Sequence, residues 1–150
     1  MKKTLLILLL VAIAAIGTHA ATKYQINVAG VEVTSDNASR ITGGDITSGY
    51  GVYNANTNTL TLYNINIYRT GKDGYGIHNR DCDNLTIVFE GSGSVRTADN
   101  ALKLERKTTI NAASGSSTTL NSSARTVVRK TFLLKLNTLD ALIILLNIRL

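Results

Sequence analysis

The sequence predicts an all-β protein built as a parallel β-helix of about three to four rungs with an N-terminal hairpin as its cap. Three observations carry this. The hexapeptide GYGVYN at 49–54 returns as GYGIHN at 74–79, an offset of 25 residues. Short runs such as Leu85-Thr86-Ile87-Val88-Phe89-Glu90 alternate apolar and polar residues with the period of a strand. Polar turns, including Gly91-Ser92-Gly93-Ser94, separate these runs, while helical periodicity is missing between Tyr24 and Ser123.

The first residues read as an export leader. Lys2 and Lys3 form a positive start, Leu5 to Ile16 is an unbroken apolar run, and small residues around Ala20 suit signal peptidase. The run is shorter than the roughly 20 residues of a spanning helix, which argues against a retained anchor. The expected division is a signal peptide over 1–20, a β-helical domain over 21–123 and an atypical apolar tail over 124–150. The expected product is secreted, to the periplasm or beyond.

Next comes the cap. Tyr24, Ile26 and Val28 alternate with polar residues, Ala29-Gly30 suits a turn, and Val31 and Val33 resume the alternation. A hairpin here covers the first rung, whose open edge otherwise invites pairing with another chain.

The rungs follow. Gly49 to Leu62 laid over Gly74 to Ile87 gives identity at six of fourteen positions. On this alignment Asn54 stacks on Asn79 and Tyr50 on Tyr75. Leu60, Leu62, Ile65 and Ile67, with Leu85, Ile87 and Phe89, are the expected inward residues. A looser third copy places Ala101-Leu102-Lys103-Leu104 over the strand at Ile77, and Thr108-Thr109-Ile110-Asn111 over Leu85-Thr86-Ile87-Val88 at an offset of 23. Successive rungs then stack at about 4.8 Å.

All twelve glycines lie at or before Gly115, and the last stretch, TFLLKLNTLDALIILLNIRL, is dominated by Leu and Ile. This tail is read either as a capping helix or as the product of a frameshift or truncation. Lys135, Asp140 and Asn147 interrupt it. Each central charge costs about 2.5–3.5 kcal/mol on insertion scales, which argues against membrane contact through the tail. Without a cap, the end of the coil is open to self-association.

Charge excludes one partner class. The sixteen basic and ten acidic residues give a net charge of +6, yet two lysines lie in the leader and five basic residues beyond Ala124. Residues 21–123 are balanced in charge and lack the basic footprint of a nucleic-acid binder. Cys82 is the single cysteine, so no intramolecular disulfide supports the exported chain.

The run YQINVAGVEVTSDNASRITGGDITSGYGVYNANTNTLTLYNINI resembles the start of secreted bacterial proteins of the carbohydrate-binding-domain-containing type. Their pattern is an AGV-V-TS-NAS opening, a GDI-SG step and an NTLTL-N-I run, followed by β-helical rungs. The resemblance covers residues 24–123, most specifically 28–67. It implies a right-handed parallel β-helix related in shape to pectate lyases, and binding of plant or acidic polysaccharide, in some relatives with calcium. Relatives continue for more rungs, whereas here the coil pattern stops near Ser123.

Site residues are sought accordingly. Sugars present C–H faces to aromatic rings and hydroxyl edges to amides and carboxylates. Tyr50, Tyr53 and Tyr75, with Asn54 and Asn79 beside two of them, are the candidate ligand residues. Ordinary Tyr and Asn ladders of a solenoid are the competing reading, and tryptophan is absent. Asn79, Asp81 and Asp83 alternate along one turn and offer oxygens to calcium, although solvated turn acids are the favoured reading. No cofactor is required otherwise. His78 reads as rung decoration, and no spacing singles out Arg80, Lys103 or Arg106 for lyase chemistry, so an enzyme is not expected. The expected function is a secreted, non-catalytic polysaccharide-binding module. The alternative is a structural or adhesive surface solenoid without sugar specificity.

Overall fold

The computed structural model describes residues 20–71, 74–122 and 132–134. The leader, over 1–19, and most of the tail lie outside the described residues, and with them the readings of signal peptide, capping helix and frameshift scar. Among the described residues there is no helix, and all regular structure is strand.

Chain entry is a hairpin, as expected. β1 (Lys23–Val28) and β2 (Val31–Thr34) pair antiparallel around Ala29-Gly30, with Val28 opposite Val31. Both turn residues have positive φ. β3 (Ile46–Asn54) and β4 (Thr59–Arg69) form a second antiparallel pair. β4 is the seed of a curled sheet. Its first half pairs in parallel with β6 (Leu85–Glu90), and its second half with β7 (Ser92–Thr97). The strand changes direction between them at Asn64, which has φ of 47°.

The next layer repeats that path. β6 and β7 carry β9 (Thr108–Ala112) and β10 (Ser117–Ser122) in parallel, and β11 (Phe132–Leu134) lies parallel on β9. A four-stranded sheet in the order β2-β1-β5-β8 stands apart from the curled one. In it β5 (Ile77–Asn79) and β8 (Leu102–Leu104) are parallel, and β1 runs antiparallel to β5.

Register explains the core. Strands in register place every second side chain in a column, so aliphatics stack from layer to layer. Leu60, Ile87 and Ile110 make one such column, and Ile67, Val95 and Leu120 another. All six are buried, as are the other expected inward residues, Leu62, Ile65, Leu85 and Phe89. The offset of 25 between Ile77 and Leu102 and that of 23 between Leu85 and Thr108 both appear in the pairing.

The stacking expected of the two hexapeptides does not form. GYGVYN belongs to β3, antiparallel to β4 in the curled sheet, whereas Ile77-His78-Asn79 lies in the other sheet. Thus Asn54 is not above Asn79, nor Tyr50 above Tyr75. The physical cause is the loop after each copy. Asn54 to Asn58 makes a tight reversal, closed by Asn54 Oδ1 accepting from the amides of Asn56 and Thr57. Residues 80–84 instead turn a corner into the other sheet.

Even the glycines differ in purpose. Gly49, with φ of 77°, lies where a Cβ would strike the Tyr63 and Asn64 carbonyls of the paired strand. Gly76 leaves room for Val95 and the Ala101 carbonyl. Leu60 also pairs with Ile87 rather than with Leu85, a shift of two residues that leaves the same face inward. In the tail, the three described residues form β11, which adds a strand to the curled sheet.

Candidate functional site

Strand parity decides which candidate residues reach solvent. Tyr53 follows Gly51 on the inward face of β3 and is only 7% exposed. Its ring packs 4.7 Å from that of Tyr24, and its hydroxyl donates to Asn58 Oδ1 at 2.6 Å. Burial is the main cause that raises its pKa well above the ordinary 10.0. Asn79 shares the inward face with Ile77 and is fully buried. Both are therefore parts of the core, not ligand contacts. Asn54 is exposed, but its side-chain oxygen is committed to the turn it closes.

Tyr50, on β3, and Tyr75, in the loop before β5, are both partly exposed. The Tyr50 ring stacks on Tyr63 at 5.0 Å, with the Arg40 guanidinium 4.3 Å from its centre. Lys103 Nζ lies 4.4 Å from the centre of the Tyr75 ring and donates to its hydroxyl at 3.2 Å. Intramolecular cations thus already engage both rings.

The proposed calcium ligands do not converge. Asn79 is turned into the coil, where its amide bonds Cys82 and Thr108. Asp81 and Asp83 stand in solvent beside Arg106, whose Nε donates to Asp81 at 2.7 Å and lies 3.9 Å from Asp83. A guanidinium occupies the position between the two carboxylates that a cation needs. Among the described residues, no three His, Cys, Asp or Glu side chains gather as a metal set.

Sequence reasoning passed over the outer face of β4, β7 and β10. Asn64 resets the parity of β4, so Ile65 and Ile67 point inward and Asn66 and Tyr68 outward. Register then sets Asn66, Ser94 and Thr119 in one row, and Tyr68, Arg96 and Asn121 in the next. Hydrogen bonds tie the first row, with Ser94 Oγ donating to Asn66 Oδ1 at 2.9 Å and Asn66 Nδ2 donating to Ser48 Oγ at 2.8 Å. Tyr68 is 57% exposed, a large ring left in solvent. The Arg96 guanidinium stands 5.8 Å from its centre. Beside them opens a cleft of about 190 Å³, lined by Arg69, Thr70, Thr97, Ala98 and Asn121 as well. The legible signal was the inward pair Ile65 and Ile67, which fixes Tyr68 as outward.

A second polar cluster decorates the smaller sheet. His78 Nε2 and Lys103 Nζ both meet Glu105 Oε1, at 3.0 and 3.1 Å. Burial lowers the His78 pKa below its ordinary 6.5; Lys103 and Arg80 add to this and the Glu105 carboxylate opposes it. The neutral ring is therefore favoured on folding, and the unfolded chain binds the extra proton first. Stability is present in full above pH 6.5 and is lost as pH falls through the lowered value. Glu105 and Glu32, held low by hydrogen bonds from His78 and Lys23 respectively, add their own loss once pH drops beneath 4.5. Thermal unfolding between pH 7.5 and 5 should show the first loss in the parent and a flattened one in His78→Gln. An unchanged slope in that variant counts against His78 as its source.

Comparison with protein-family models, curated proteins and solved structures yields no match to this chain.

Proposed function

We propose that this chain is a secreted, non-catalytic module that binds plant or acidic polysaccharide along the outer face of β4, β7 and β10. The curled parallel sheet is read here as part of a right-handed parallel β-helix. The observation that carries the binding is Tyr68, an exposed ring in register with Arg96 and Asn121. A sugar ring stacks its C–H face on such a platform, and the amides and hydroxyls of the neighbouring row meet its hydroxyl edge. Export rests on the leader-like first residues.

Affinity electrophoresis in pectic, cellulosic and neutral gels, with calcium and with chelator, tests the reading. Tyr68→Ala should weaken retardation about tenfold or more, the effect of about 1.4 kcal/mol. The Tyr50→Ala/Tyr75→Ala variant should retain it. Loss in the double variant alone would return the site to the hexapeptides.

A structural or adhesive role without sugar specificity is the second reading. It is favoured by the burial of Tyr53 and Asn79 and the internal engagement of Tyr50 and Tyr75. Absence of retardation in every gel by the folded protein selects it. Self-association then becomes the property to measure, since β8 and β10 are outer strands of their sheets among the described residues.

A further inference from the structure

Charge in the cleft beside Tyr68 is one-sided. Among the described residues its lining contains Arg69 and Arg96 and no acid. Arg69 Nη1 is paired with Asp45 at 2.8 Å, whereas Arg96 makes no ion pair among the described residues. Arg96 is exposed, so its fork of donors is accessible.

Resting on the polysaccharide reading, we infer that this cleft is an anion subsite that takes the carboxylate of a uronic acid residue in the bound chain. The planar guanidinium of Arg96 meets a planar carboxylate through two parallel N–H···O bonds. Tyr68 holds the sugar ring, and Thr70 and Asn121 supply a hydroxyl and an amide for its edge. Arg69 is anchored by Asp45 and brings a second cation to the same lining without being the primary contact. The unpaired charge of Arg96 then distinguishes a uronate from its neutral counterpart.

The test uses the chain purified after export, in gels of equal ionic strength carrying polygalacturonate, its fully methyl-esterified form, or sulfated dextran. Polygalacturonate should retard the protein at least tenfold more than the ester does. Arg96→Lys keeps the charge and loses the fork; it should weaken retardation by polygalacturonate at least fivefold and leave that by the ester unchanged. Equal retardation by polygalacturonate and its ester would overturn the subsite while polysaccharide binding stands. Equal retardation by sulfated dextran would reduce the effect to general polyanion attraction and overturn the subsite too. No retardation in any gel, with the β-rich circular dichroism spectrum intact, would remove the binding reading and the subsite together.

Discussion

Asn79→Ala should destabilise the protein by about 2–4 kcal/mol, a large share of the 5–15 kcal/mol typical of a domain. The side chain is fully buried and all its hydrogen-bonding groups are used. Its oxygen accepts from the Cys82 amide at 2.9 Å, and its nitrogen donates to the Cys82 carbonyl and to Thr108 Oγ1, each at 2.9 Å. These bonds fix the corner through which the chain passes from β5 into β6. Truncation leaves an amide and a carbonyl unpaired at that corner, along with a small void. Asn79→Leu would match the side chain of Leu104, its register partner, and fill the void. It would still leave the Cys82 amide unmet, so it should recover only part of the loss. Urea unfolding followed by tyrosine fluorescence measures both variants. A change under about 0.5 kcal/mol, the usual range for surface positions, would return Asn79 to the surface role suggested by the repeat.

The same residue shows what the sequence could and could not reveal. Alternation from Ile77 through His78 places Asn79 on the inward side, and that information was present in three residues. The repeat of GYG and Asn drew attention to likeness between two segments and away from the parity within each. Period-2 patterning cannot distinguish a parallel neighbour from an antiparallel one, because both show the same alternation. The decision between a hairpin after Asn54 and a corner after Asn79 was made by loop conformation. Asn58 and Asn84 both take positive φ at the ends of these loops, so even their turn chemistry is similar. What differs is the start of each loop, where Asn54 stays exposed and closes a tight reversal while Asn79 is buried beneath the corner.

The parallel pairing in both sheets was legible because its columns need inward residues at fixed offsets, and those offsets recur from Ile77 to Leu102 and from Leu85 to Thr108. The site was less so. Tyr53 looked like its exposed neighbours because the irregular pairing between Ile46 and Tyr50 disturbs the count along β3. Tyr68 and Arg96 are 28 residues apart, outside the period of 23 to 25 that organised the reading, because β4 meets β7 at a wider offset than the later layers. Their juxtaposition needs the pairing of β4 with β7, which neither segment states alone.

Phe89→Ala is expected to cost about 3–5 kcal/mol, the range for removing a buried aromatic ring. Phe89 is 1% exposed and stands in register between Leu62 and Ala112. Its column thus runs from large to largest to small. Ala112 is only partly buried and lacks the reach to occupy the emptied space. In a stacked array stability is close to a sum over neighbouring layers. A residue of the middle layer supports two of these interfaces, so its loss weakens β4 against β6 and β6 against β9 together. Leu120, on β10, an outer strand among the described residues, is 6% exposed and lines up with Val95 alone. Leu120→Ala should therefore cost less, near the lower end of the 2–5 kcal/mol range for such truncations. Thermal unfolding of the two variants side by side, followed by circular dichroism, measures the difference. Equal losses would mean that the layers do not contribute by neighbour count, and a smaller loss at Phe89 would contradict its place at the centre of the coil.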